Sequence, residues 1–76
     1  MNKNRRDLLM SAKQPLARVA AIIGQAIGQE SDCLDNIPEN LQGTERYEKM
    51  EQAIDNLEEA MEHIDGIIEC IDNAIA

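Results

Sequence analysis

Apolar residues in the second half of the chain fall at Tyr47, Met50, Ile54, Leu57, Met61, Ile64, Ile68, Ile71 and Ile75, at unbroken alternating spacings of three and four. Such spacing marks the a/d seam of a coiled coil, here carried over about four heptads. Ala53, Ala60, Ile67 and Ala74 occupy the g positions. They widen the stripe from a narrow two-stranded seam towards a surface that meets more than one helix. The pattern predicts a helix over residues 44–75. Thr44 is a suitable N-cap, and Glu45 suits the first turn. Gly66 falls at an outer f position, where it weakens the helix by about 1 kcal/mol relative to Ala.

The first half is also helical in pattern, over residues 4–35, but less regular. Leu9, Ala12, Leu16, Val19, Ile23 and Ala26 repeat at three and four, with Ala20, Ile27 and Leu34 broadening that face. Pro15 leaves two alternatives. It stands in the first turn of a helix capped by Ser11, where its missing N–H does no harm, or it interrupts a longer helix that begins near Lys3. Ala20, Gly24 and Gly28 recur every fourth residue, a small-residue ridge that suits close approach of another helix in a water-soluble bundle. Between the helices, Asn36-Ile-Pro-Glu-Asn-Leu-Gln-Gly43 reads as a loop. Pro38 disfavours helix at Ile37, and Gly43 permits a sharp turn.

Charge supports an antiparallel hairpin. Residues 1–29 hold five bases and one acid, net +4, whereas residues 30–76 hold two bases and fourteen acids, net −12. Reversal near residue 40 brings Lys3, Arg5 and Arg6 towards Glu69 and Asp72, and Arg46 and Lys49 towards Glu30, Asp32 and Asp35. The expected fold is all-α: one domain over residues 1–76, a coiled-coil-like antiparallel two-helix hairpin with its loop at 36–43. Two helices alone leave the flanks of so broad a stripe uncovered, so self-association into a helical bundle is expected. Packing and self-association are expected at Ala20, Ile23, Gly24, Ile27, Gly28, Ile54, Leu57, Met61, Ile64, Ile67, Ile68 and Ile71.

At 76 residues and net charge −8, with one Tyr, no Phe and no Trp, the chain is ill suited to bind nucleic acid directly. Phosphate contact needs cations and base stacking needs aromatic rings. Two Cys exclude a disulfide-rich scaffold. The basic start, Met1-Asn-Lys-Asn-Arg-Arg6, is followed by Asp7, Lys13, Pro15 and Arg18 rather than a signal peptide's apolar run, and Val19–Ile27 is too short to span a bilayer. A cytoplasmic protein with reduced thiols and no membrane contact is expected.

Candidate chemistry is sparse. His63 is the only His; Glu59 precedes it by one turn, but Ala60 stands where a Glu-x-x-His signature needs its acid, so neither a metal site nor a cofactor is expected. In a hairpin, Cys33 and Cys70 lie about 30 Å or more apart, too far for a disulfide. His63 lies about two turns from Cys70, so no nucleophile–base pair is expected, and the chain is not expected to be an enzyme. Arg5, Arg6, Lys13 and Arg18 are candidates for an anion site in an oligomer, or for pairing with the acidic helix. The sharpest signal is a stripe of eight carboxylates at b and e positions: Glu48, Glu51, Asp55, Glu58, Glu62, Asp65, Glu69 and Asp72. A rod of negative charge imitates a nucleic-acid backbone and suits a basic groove, although a solubilising surface has the same composition.

The run Leu34-Asp-Asn-Ile-Pro-Glu-Asn-Leu-Gln-Gly-Thr-Glu-Arg46, followed by Met50-Glu-Gln-Ala-Ile-Asp-Asn-Leu-Glu-Glu-Ala60, resembles a group of short acidic helical-hairpin proteins of phages and mobile elements in Gram-positive gut bacteria. The resemblance covers roughly residues 29–76, and its specific part is the Asn-Ile-Pro-Glu-Asn-Leu-Gln loop. It implies a mobile-element origin and a helical hairpin, and it carries over no catalytic residue. The apolar, glycine-containing Val19–Gly28 departs from the more charged first half usual in that group. The functional expectation is an accessory protein acting by protein–protein contact in the host cell. Its sharpest form is an acidic, nucleic-acid-mimicking inhibitor of a host defence nuclease, anti-CRISPR-like, with a basic host nucleic-acid-binding protein as partner. The alternatives are a structural coiled-coil oligomer and a ligand-sequestering helical oligomer.

Overall fold

The computed structural model describes all 76 residues as two helices packed antiparallel, α1 (Lys3–Asp35) and α2 (Glu45–Ile75), with a 3-10 turn at Glu39–Leu41 and no strand. The molecule is a rod of 60 × 15 × 13 Å. Its shape follows from helix length: thirty-odd residues at 1.5 Å each give about 45–50 Å, with the loop adding the rest.

Each helix is capped by a side chain. Asn2, in extended backbone, accepts from the Arg5 N–H at 2.9 Å. Thr44 accepts from the Tyr47 N–H at 3.3 Å, while its own hydroxyl donates to the Leu41 carbonyl at 2.9 Å. One threonine therefore ends the loop and starts α2. Asn36 closes α1 with its N–H on the Asp32 carbonyl, and Pro38 then opens the 3-10 turn. The loop turns without any positive φ, so Gly43 does not use the left-handed freedom expected of it.

Pro15 lies inside α1, which continues from Lys3 without a break; the longer of the two alternatives holds. The helix forgoes the backbone bond that the residue-15 N–H would donate to the Ser11 carbonyl. Ser11 meanwhile donates its hydroxyl to the Leu8 carbonyl.

The core is one layer of side chains between the helices. From α2, Ile54 and Ile64 are buried, and Tyr47, Met50, Leu57, Met61, Ile68, Ile71 and Ile75 are half-buried, so the whole a/d seam faces α1. From α1 the inward row is Leu9, Lys13, Leu16, Ala20, Ile23, Ile27, Glu30 and Leu34, continued by Ile37 of the loop, all half-buried, again at threes and fours. This corrects the expected stripe. Val19 and Ala26 are exposed, and Ala20 and Ile27 hold the inner positions. Two charged residues, Lys13 and Glu30, occupy seam positions, so a count of apolar residues alone settles one step to the side.

The small-residue ridge does not form the helix contact. Ala20 is half-buried, but Gly24 and Gly28 are exposed, and a Cβ added at either would meet no atom within 4 Å. Steps of four advance 400° around a helix of 100° per residue. The ridge therefore drifts 40° per turn off the seam. Ile67 is also exposed rather than packed within the hairpin.

Candidate functional site: an acidic edge

The heptad register and the contacts divide the rod into two long faces. Lys13 of α1 pairs with Asp72 of α2 on one side. On the other side Leu9 lines a shallow groove with Ile67, Cys70, Ile71 and Ala74, and Glu30 lines another with Arg46, Met50 and Ala53. The e positions of α2 thus lie on the Lys13 side with the b positions outside them, and its g positions lie on the Leu9 side, where the b-position Glu62 reaches the outer rim of the groove.

The first face carries the carboxylates. Glu48, Glu51, Asp55, Glu58, Glu62, Asp65, Glu69 and Asp72 are all exposed. Only Asp72 has a cationic partner, Lys13, whose side chain is itself part-buried in the seam. The expected pairs of Lys3, Arg5 and Arg6 with Glu69 and Asp72 do not form, nor do those of Arg46 and Lys49 with Glu30, Asp32 and Asp35. Lys49 instead pairs with Glu45 one turn back on its own helix, at 3.2 Å. The α1 positions flanking the seam on this side include Ala17, Ala21, Gly24 and Gly28, short neutral residues that leave the acids unscreened.

The eight acids follow one another at three and four residues, so each is a helical neighbour of the next. Their span is about 36 Å, one charge per about 5 Å along the axis, against one per about 3.4 Å along a single strand of B-DNA. Like charges at this spacing repel by about 0.2–0.5 kcal/mol per pair, or about 1.4–3.5 kcal/mol over the seven neighbouring pairs of the ridge at low salt. A surface serving solubility alone works best with interspersed signs. This edge is of one sign and costs the fold stability.

Other candidates are dispersed. His63 lies 3.6 Å from Glu59 on the exposed face of α2. Cys33 and Cys70 are free and exposed, and no cluster of three or more potential metal ligands forms. Lys13 is engaged by Asp72, and no groove is lined by Arg5, Arg6 or Arg18. Neither helix is long and apolar enough to cross a membrane. The charged seam residues are not apparent from residue type; a strict period of seven within α1, run forward from Leu9, Leu16 and Ile23 and back from Leu34, Ile27 and Ala20, picks out Glu30 and Lys13.

Comparison of the chain with protein-family models, curated proteins and solved structures found no match.

Proposed function

We propose that the chain is a binding protein that acts by protein–protein contact, its acidic edge occupying the basic groove of a nucleic-acid-binding protein. A host defence nuclease is the partner class that best fits a mobile-element accessory working in the host cytoplasm. The observation that carries this reading is the run Glu48 to Glu69: seven exposed carboxylates on one edge with no cationic partner in the chain. Charge arranged in this way attracts a basic groove over a distance of about a Debye length, 8 Å at physiological salt, and raises the association rate.

Mimicry has a specific consequence: duplex DNA and this chain compete for one groove. The immobilised protein, exposed to nuclease-treated bacterial lysate at about 0.1 M salt, is expected to retain nucleic-acid-binding proteins that an excess of short duplex DNA elutes. Retention of proteins that DNA does not displace would contradict the reading.

A further inference from the structure

The face opposite the acidic edge has no partner within the hairpin. On α1, Leu8, Val19 and Ile22 are 70%, 45% and 66% exposed, and on α2 Ile67 is 47% exposed. Ile67 lines the groove with Leu9; in the α1 register Val19 flanks the seam on that side, and Leu8 and Ile22 lie one step further out. Between Leu8 and Ile22 α1 itself carries no carboxylate; the α2 border of the face is Ala53, Ala60, Ile67 and Ala74, with Glu62 at the outer rim of the groove beside His63.

We propose that this face is covered by a second copy of the chain in a two-fold dimer. Surface area argues for it. A compact chain of this mass exposes about 4,700 Å², whereas the hairpin exposes 5749 Å². The excess, about 1,050 Å², exceeds the roughly 800 Å² that each partner gives to a standard interface. The radius of gyration is 17.5 Å, where a compact chain of this length has about 11 Å. Only two residues are buried, so the hairpin lacks the core that a domain of this size needs.

Charge and shape select the occupant. A two-fold interface sets each patch against its own copy, which requires it to be self-complementary. The acidic edge repels its copy; the opposite face carries Glu62 alone in one groove, and in the other it sets Glu30 and Glu45 among Arg46 and Lys49, so it presents no single-sign row to its copy. Large Leu8 and Ile22 stand on α1 beside small Ala12 and Ala26, and Ile67 stands on α2 between Ala60 and Ala74, so projections and hollows of one copy can interleave with those of the other. This proposal is independent of the acidic-edge reading, because it uses the other face.

Light scattering across a dilution series in reducing buffer tests it, together with far-UV circular dichroism. The wild type is expected at twice the chain mass at tens of micromolar. Ile22→Lys and Ile67→Lys, each at an exposed position of the single hairpin, are expected to shift the dimer–monomer midpoint to at least tenfold higher concentration, with helicity lost only as the dimer is lost. A helical monomer at high concentration would overturn the proposal and leave the face to a different protein. A dimer indifferent to both substitutions, or a mass above two copies, would overturn it as well.

Discussion

Ile64→Asp is expected to abolish the cooperative thermal unfolding of this protein and most of its helical signal at 222 nm. Ile64 is one of only two residues that the helix pairing removes from water. A carboxylate there either stays ionised without a partner or opens the seam to reach solvent; both outcomes cost more than about 4 kcal/mol. A hairpin with so small a core has little reserve against that loss, since whole domains are stable by only about 5–15 kcal/mol. Ile64→Ala, which leaves a cavity and no charge, is expected to cost about 2–4 kcal/mol. Gln52→Asp adds the same charge to an exposed site on α2 and is expected to leave the melt nearly unchanged. A wild-type melt for Ile64→Asp would mean that the helices do not meet along this seam.

The second large effect is a gain. Gly24, Gly28 and Gly66 all lie in helix interiors, and a Cβ at each would meet nothing within 4 Å. Replacing Gly by Ala there removes an entropic cost of about 0.8–1 kcal/mol per site. The sites are separated by full helical turns or lie on different helices, so the gains should add to about 2–3 kcal/mol. For a domain of this size that is a rise in Tm of about 10 °C or more, read by calorimetry at fixed protein concentration. Gly24 and Gly28 lie off the face assigned to the second copy, whereas Gly66 lines the groove on that face, so Gly66→Ala is also read alone by light scattering. A fall in Tm would show instead that another helix packs against the Gly24–Gly28 ridge in the native protein.

Much of this architecture is legible in the residues, for a physical reason. In α2 every seam position is apolar from Tyr47 to Ile75, and burial against a single neighbour needs only that period. The caps at Asn2 and Thr44 obey local hydrogen-bonding rules, and Thr44 is readable from its place before Glu45. The first helix is harder to read because Lys13 and Glu30 occupy seam positions at its two ends. Long or charged side chains can cover a seam with their stems while their heads reach water, as Lys13 does in meeting Asp72. Binary patterning then points to Val19 and Ala26 instead of Ala20 and Ile27.

The acidic edge was equally plain as a row of residues, but its electrostatic state was not. Opposite charge on the two halves of the chain suggests mutual neutralisation, and both termini match in sign. In the structure the N-terminal bases make no interhelical pair apart from Lys13 with Asp72. Exposed pairs contribute below about 1 kcal/mol and rarely hold long side chains in one place. Matching in sign along a sequence therefore does not ensure contact. What the pairing leaves over, seven unpartnered acids beside a row of small neutral residues, is the feature on which the functional reading rests.

The most direct measurement compares Glu51→Lys with Glu58→Lys, combined in one chain, against the wild type on two readouts. Both residues are exposed and outside the seam, and each change replaces like-charge repulsion with attraction to neighbouring acids. The expected result is a Tm equal to or above that of the wild type, together with loss of the proteins that the wild-type chain retains and duplex DNA elutes. Undiminished retention by the charge-reversed chain, at the same salt and with the fold intact, would contradict it and leave the acidic edge as a solubilising surface.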